Sequence, residues 1–471
     1  MDTLIMVCAI ALAIAIKLGF FFLFAWKTQK EAPIPKNQPF DIVQKGEEKG
    51  PDGKRILVTG GCGFLGSHIV RQLKDRLGAK ASLVVLDAAV HSKFGPLVPG
   101  VTYIKGDITT YTYVHSALAG CDCVIHTAGL VGDSTTPRAT FARVNEQGTK
   151  NIMEAALERD VRNMVYTSSA SVVFSLANVR PGVTGGGSAQ PILETQPPAP
   201  EPQLNGAYAK SKAAAERLVL AASSHALRVV ALRPGAVYGM ADTGMTPQIL
   251  AGQPWIGPGQ VRVPFVWVED AARAHVLAAE QLLWPQLGPD GKPVRRIHGR
   301  AYHITHDPVR DPFLYHEFGG GLPTSGEELA ALGITERPHA DIIKAEQEAG
   351  VFTTRDCAAL RAARVSSYGC AANSSIPFPV VWLLARLNFW VGQRFGIVLV
   401  DGRSTPENMM FASNHWPCDV RDARALLGWE PTPFRVVAAA LGEAGADADP
   451  AAAKRYKSLN VRAAAESKKA K

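Results

Sequence analysis

The sequence predicts an α/β protein built on a doubly wound parallel sheet, and three observations carry that expectation. β-Branched apolar runs recur from Ile56 onward, at 56–59 (ILVT), 83–87 (LVVLD), 101–104 (VTYI), 123–126 (CVIH), 164–169 (MVYTSS) and 228–233 (RVVALR). Helical spacing fills the gaps, most clearly at 145–160 and 208–222. Buried strands alternating with helices mark a parallel sheet covered on both faces. The first run also feeds straight into a glycine-rich turn, GGCGFLG, and then into FLGSHIVRQLKDRL, whose helical spacing stops at Gly78.

Taken in order, the chain opens with an anchor. Residues 4–26 form a run of 23 with Lys17 as the only charge, enough to cross a hydrocarbon layer of about 30 Å as a helix. Only Asp2 precedes the run and bulky Phe24 and Trp26 close it, unlike a cleaved signal peptide. Residues 1–26 are therefore expected to be a single transmembrane helix, with the Lys17 side chain snorkelling or facing a partner helix. Lys27, Lys30 and Lys36 follow, and positive flanks stay on the cytosolic side, so the rest of the chain is expected there. The Pro-, Lys- and Glu-rich segment 27–55 reads as a linker. Residues 56–245 read as the dinucleotide-binding domain and 246–441 as a smaller C-terminal lobe over the carboxyl edge of the sheet. Within that lobe a strand-to-helix step is expected at 263–283, a strand at 301–305 and short helices near 420–427 and 435–441. The apolar stretch 376–400 is interrupted by Arg386, Asn388, Gln393 and Arg394, which makes a second full span costly. A helix pair dipping into the membrane and a buried pocket lining both remain open. Residues 442–471 form a basic tail.

Composition narrows the function classes. The chain of 471 residues is 47% hydrophobic and 20% charged, a globular balance that excludes a disordered or fibrous protein. The net charge of +8 comes from two flanks, 27–55 with seven basic against five acidic residues and 451–471 with seven against one. No basic face is left for a folded nucleic-acid reader, and lipid is the better partner for those flanks. The cysteines, Cys8, Cys62, Cys121, Cys123, Cys357, Cys370 and Cys418, are odd in number and form no CxxC pair. That pattern indicates a reducing compartment with neither a disulfide framework nor a structural metal.

Chemistry is concentrated in two constellations. Gly60, Gly63 and Gly66 have the spacing of a strand–turn–helix that brings backbone N–H groups up to a pyrophosphate. Asp87 lies 21 positions past the last of them, at the end of the second strand. A carboxylate there accepts the adenosine-ribose hydroxyls, and Ala88 and Ala89, with no arginine beside them, favour NAD over NADP. This Rossmann-type signature is joined by Tyr208-Ala-Lys-Ser-Lys212, with Thr167-Ser-Ser-Ala-Ser171 upstream. Tyr208 and Lys212, four apart, share a helix face, and a neighbouring ammonium is expected to lower the phenol pKa. Strand alternation puts 167, 169 and 171 on one side, favouring Ser169 over Ser168 as the donor to a substrate oxygen. His126 and His275 read as buried structural histidines, and Cys121 and Cys123 as core thiols.

Together TGGCGFLG, GDI (106–108), HTAG (126–129), VNEQGT (144–149), YTSSASVVF, YAKSK and LRPGAVYG resemble the extended short-chain dehydrogenase/reductase superfamily over most of residues 56–305. FVWVEDAARAHVLAAE (265–280) and GRAYHITHDP (299–308) are similar to its 3β-hydroxysteroid dehydrogenase branch, and within it to sterol-4α-carboxylate 3-dehydrogenases. The resemblance implies Tyr208 as general base, Lys212 as the residue that binds the ribose and activates the tyrosine, and Ser169 as the oxygen donor. It implies that Gly60, Gly63, Phe64, Leu65, Gly66, Asp87, Asp107 and Ile108 line an NAD site, with Ala128, Asn145 and Lys212 toward the nicotinamide half. It further implies a sterol substrate and a membrane setting; a homodimer stands as an open partner, since the sequence does not fix the oligomeric state. The long Gly/Pro-rich segment 181–206 and the patchy match over 306–415 depart from the family pattern, so details of the substrate loop do not carry over. Lys468-Lys469-Ala470-Lys471 looks like a dilysine retrieval signal and points to the endoplasmic reticulum. The expectation is thus a membrane-anchored sterol dehydrogenase. A dehydrogenase/isomerase, a nucleotide-sugar epimerase or dehydratase of the same superfamily, and a non-catalytic NAD-binding membrane protein stand as alternatives.

Overall fold

The structure is a computed structural model that describes residues 41–48, 50, 53–91, 93–132, 134–179, 187, 190–239, 262–289, 291, 293–307, 378–399 and 405–432. The anchor expected at 1–26, the helix expected at 435–441 and the basic tail lie outside the described residues. Strands β1 (Asp41–Gln44), β2 (Lys54–Thr59), β3 (Ala81–Asp87), β4 (Thr102–Lys105), β5 (Cys123–His126), β6 (Asn163–Thr167) and β7 (Arg228–Pro234) build most of the main sheet. Two short strands, β8 (Ala236–Tyr238) and β9 (Phe265–Trp267), pair with each other, and β10 (Arg300–Ile304) returns to the main sheet. The order is β1-β4-β3-β2-β5-β6-β7-β10. Every pair is parallel except β1 with β4.

Side-chain alternation explains why the strands read as continuous apolar runs. Ile56 and Val58 of β2 enter one core with Ile69, Val70 and Leu73 of α1 (Phe64–Leu77) and Ala271 and Ala272 of α6 (Val268–Leu283). Leu57, between them, enters the opposite core with Ile152 and Ala156 of α4 (Gly148–Glu158) and Val219 of α5 (Gly206–Ala221). Both faces are dry, so both alternating sets are apolar. Two shorter helices, α2 (Tyr111–Ala117) and α3 (Arg138–Phe141), complete the connections, and α3 continues into a π-helical turn, Ala142–Gln147, that leads into α4.

Two boundaries differ from the sequence expectation. The linker does not run to residue 55: Asp41–Gln44 adds an antiparallel edge strand, with Asp41 opposite Lys105. Few apolar residues announce it, because an edge strand is held by backbone pairing and by the Gln44 amide, which donates to the Val98 and Val101 carbonyls at 3.0 Å. Nor does the sheet end near residue 245, since β10 pairs with β7 and α6 covers β5 and β6. Residues 265–304 therefore complete the dinucleotide domain.

Over the carboxyl edge lie α7 (Phe378–Phe395) and α8 (Pro406–Ala412). Gln393 donates to the Ser134 and Thr136 carbonyls in the turn after β5, and the Glu407 carbonyl accepts from Asn205 at the start of α5. Among the described residues no helix is long and apolar enough to cross a membrane.

Candidate active site

The glycine turn is built for close approach. Gly60 has φ +70°, and its N–H donates to the Leu86 carbonyl at 2.9 Å. A Cβ on Gly66 would lie 2.0 Å from the Gly60 carbonyl oxygen, so only glycine lets α1 start against this turn. Gly63 caps α1 without any side-chain hydrogen bond, which leaves the first-turn N–H groups to an outside anion. Asp87 at the end of β3 faces the turn: Oδ2 accepts the Cys62 N–H at 2.9 Å and Oδ1 the Ala89 N–H at 3.0 Å. A fixed carboxylate beside a bare helix N-terminus fits the ribose and pyrophosphate of NAD.

The remaining residues expected at the coenzyme are placed less uniformly. Phe64 stacks edge-on against His68 at 5.6 Å. Leu65 packs against the core. Asp107 accepts the Thr109 N–H at 2.8 Å. The Ile108 side chain is buried against α4 at Gly148, and its carbonyl accepts from Asn151 at 2.9 Å, so only its backbone edge is left for a ligand. Ala128 abuts the glycine turn, since a Cβ on Gly60 would fall 2.7 Å from its Cα. Asn145, in the π-helical turn, has its amide committed: it accepts the Leu130 N–H at 2.7 Å and donates to the Leu130 carbonyl and to Ser211 Oγ, each at 3.0 Å. It pins the turn after β5 to α5.

Ser169, Tyr208 and Lys212 come together at the carboxyl end of β6. Ser169 caps a short 3-10 turn, its hydroxyl accepting the Ser171 N–H at 3.2 Å, and it lies near enough to the Tyr208 phenol to favour its ionised form. Ser168 also turns toward α5, two helical turns from Tyr208, donating to Glu216 at 2.5 Å, whereas the Thr167 hydroxyl goes to His275 of α6. The strand ends at Thr167, so the expected common side of 167 and 169 is not kept. Lys212 Nζ donates to the Thr167 carbonyl at 2.5 Å and lies 4.7 Å from the centre of the Tyr166 ring.

The charge states differ from the sequence expectation in direction. Burial raises the Tyr208 pKa above its ordinary value, and the nearby Ser169 hydroxyl only partly offsets this. Burial pushes Lys212 down to about 7, against the opposing pull of Glu216. Without coenzyme the pair is therefore a phenol beside a weakly held ammonium, because desolvation outweighs the mutual attraction the spacing suggested. Two neutral imidazoles flank the lysine. His126 bonds Thr59 Oγ1 and Thr149 Oγ1, and burial lowers it to about 3. His275 bonds Thr167 Oγ1 and the Ala271 carbonyl, and burial lowers it to about 4. Both are structural, as their sequence contexts suggest.

Glu216 and Arg233 were not singled out by the sequence reading. Glu216 is four residues beyond Lys212 on the helix face already identified, and that spacing was the available signal.

The geometry defines a class: an NAD-dependent oxidoreductase of the short-chain type, acting on a CH–OH carbon. The family is narrower. The model of the 3-beta hydroxysteroid dehydrogenase/isomerase family matches residues 57–322, more than half of the chain, and the chain belongs to that family. Among curated relatives, the sterol-4-alpha-carboxylate 3-dehydrogenase, decarboxylating, of Candida albicans is 32% identical over 54% of this chain and 70% of its own length. The human 3 beta-hydroxysteroid dehydrogenase type 7 is 38% identical over 48% and 63%. The bovine sterol-4-alpha-carboxylate 3-dehydrogenase, decarboxylating, is 32% identical over 55% and 66%. The matched stretch thus spans about two thirds of these relatives' length. Among solved structures, MoeE5 in complex with UDP-glucuronic acid and NAD matches at a TM-score of 0.50 and 22% identity, covering 83% of this chain and 97% of that one. Epimerase Mth375 of Methanothermobacter thermautotrophicus matches at 0.52 and 17%, covering 87% and 95%. These likenesses establish the fold.

Proposed function

We propose that this chain is a membrane-anchored 3β-hydroxysteroid dehydrogenase that oxidises a sterol 3-hydroxyl to the ketone, acting on a sterol that carries a 4α-carboxylate. The observation that carries the reading is the meeting of Ser169, Tyr208 and Lys212 at the carboxyl edge, beside the glycine turn. Gly60, Gly63 and Gly66 and the N-terminus of α1 would hold the pyrophosphate, and Asp87 the ribose. When bound, NAD supplies the hydride acceptor for C3 and a positive ring that favours the Tyr208 phenolate. Tyr208 takes the proton of the C3 hydroxyl, Ser169 donates to the oxygen as it becomes a carbonyl, and Lys212 holds the tyrosine in its ionised form. With a carboxylate on C4 the product is a β-keto acid. As the carboxylate it loses carbon dioxide, the C–C bond electrons passing into the ketone, and leaves an enolate that takes up a proton on C4. Purified protein given NAD and a 4α-carboxysterol should yield NADH, carbon dioxide and the 3-ketone; absence of both NADH and ketone would reject the reading.

Three features support a membrane setting at the endoplasmic reticulum. The apolar run 4–26 and the dilysine tail are sequence features. The register of β1 puts Asp41 opposite Lys105, at the carboxyl edge where the site opens. At that same edge α7 turns Leu383, 67% exposed, and Trp390, 58% exposed, outward with Arg386 and Arg394, and segment 378–399 has no carboxylate. An apolar stripe flanked by cations suits an anionic bilayer surface. In nanodiscs containing phosphatidylserine, brominated lipid should quench part of the tryptophan fluorescence, and Trp390→Phe should reduce that part, leaving the share of Trp26 in the expected anchor. Unchanged quenching would place α7 away from lipid, and dimerisation lost on Leu383→Glu would assign the stripe to a second copy.

A further inference from the structure

One turn beyond Lys212 and two beyond Tyr208, α5 carries Glu216, which is fully buried. The spacing puts all three on one helix face. Oε2 of Glu216 accepts the Ser168 hydroxyl at 2.5 Å. Arg233, 1% exposed, grips the same carboxylate, Nη2 to Oε1 at 2.6 Å and Nε to both oxygens at 3.1–3.2 Å. Its Nη1 donates to the Glu194 and Gln196 carbonyls at 3.2 and 2.9 Å, in the segment that leads to α5. The Ser168 N–H donates to the Leu232 carbonyl at 2.6 Å. A single carboxylate thus joins the end of β6, the end of β7, the preceding loop and α5.

This network sits behind the reacting groups. Ser168 directly precedes Ser169, so the Ser168–Glu216 bond limits how far Ser169 can slide relative to Tyr208 along the interface between β6 and α5. A buried ion pair is a weak source of stability, because its attraction barely offsets the desolvation of two charges. Its directional bonds instead fix register. We propose that Glu216 is a positioning residue for the oxidation: through Ser168 it sets the Ser169–Tyr208 geometry, and its negative charge helps hold the Lys212 ammonium. This rests on the reading of Ser169, Tyr208 and Lys212 as the reacting set. The groups facing Lys212 are Tyr208 and Glu216 on its own helix, the Thr167 carbonyl and Tyr166 ring on β6, the neutral imidazole of His126 on β5 and that of His275 on α6. Glu216 is the carboxylate among them, so removing its charge weakens the hold on the Lys212 proton.

Ser168→Ala cuts the strut and leaves every charge in place; kcat should fall about tenfold, with NADH affinity and pH profile unchanged. Glu216→Gln should lower kcat further and move the alkaline limb of the profile, where Lys212 loses its proton, down by about one pH unit. Because Glu216→Gln strands the buried Arg233 charge and so endangers folding, Glu216→Gln with Arg233→Met supplies a pair without that charge. It should fold, bind NADH and remain slow with the shifted limb. Wild-type kcat and an unshifted limb in that folded double variant, or wild-type kcat in Ser168→Ala, would overturn the proposal. If the wild-type chain oxidises no steroid, the functional reading fails instead. The Lys212 titration is then read by competitive amine labelling and peptide mass spectrometry, and an unshifted midpoint in the double variant again overturns the role of Glu216.

Discussion

Lys212 donates from its ammonium to the Thr167 backbone carbonyl at 2.5 Å, while the Thr167 hydroxyl bonds His275 of α6. One strand-end residue therefore fixes the lysine from below and links it to the opposite layer of the sheet. The lysine is held whether or not its proton is present, and its electrostatic effect on Tyr208 then depends on pH and on what binds beside it.

Tyr208→Phe removes the proton acceptor and leaves the packing of α5 intact. Turnover should fall by about 10²- to 10⁴-fold, while NADH affinity, read by fluorescence titration, stays within a factor of about three.

The coenzyme carboxylate gives a second test. Asp87 is held by two backbone N–H groups, so its orientation is set before any ligand arrives. Replacing it by serine should weaken NADH binding by about 10- to 100-fold, the worth of a charge-assisted hydrogen bond or two. Discrimination against NADPH should narrow in the same titration.

Two glycines of one turn should fail differently. A Cβ on Gly66 meets the Gly60 carbonyl oxygen at 2.0 Å, whereas one on Gly63 meets the same atom only at 3.1 Å. Gly66→Ala should destabilise the domain by about 3 kcal/mol in a denaturant titration. Gly63→Ala should fold and lose coenzyme affinity, because the methyl group enters the space left for a phosphate.

Acid should unfold the protein early. Burial lowers His126 and His303 to about 3, and His275 and His306 to about 4. Between pH 6.5 and 4 the unfolded chain binds these protons and the folded one does not, so stability falls as pH falls, by about 1.4 kcal/mol per unit for each histidine. Glu194, raised by burial to about 8, and Glu146, also raised by burial, act oppositely, their contribution being lost as pH rises above 4.5, but they are two groups against four. The urea midpoint should therefore drop steeply below pH 6, and a midpoint flat from pH 7 to 5 would contradict the buried neutral histidines.

The parallel sheet was legible because β2, β3, β5, β6 and β7 are dry on both faces, which writes unbroken apolar runs into the chain. Strand β1 was not legible, since an edge strand gains its place by pairing with β4 and leaves little apolar signature in DIVQ. The glycine turn and the Tyr208–Lys212 spacing were legible because local geometry dictates them. By itself the sequence determined the fold class, the glycine turn and the tyrosine–lysine spacing on one helix, all of which depend on short-range steric and helical periodicity. Only the tertiary structure decided that Ser169 and not Ser168 meets Tyr208, that Glu216 and Arg233 stand behind them, and that Tyr208 is an un-ionised phenol before coenzyme binds. Those outcomes depend on which groups are driven out of water together, and desolvation is a property of the assembled layers, not of any one segment.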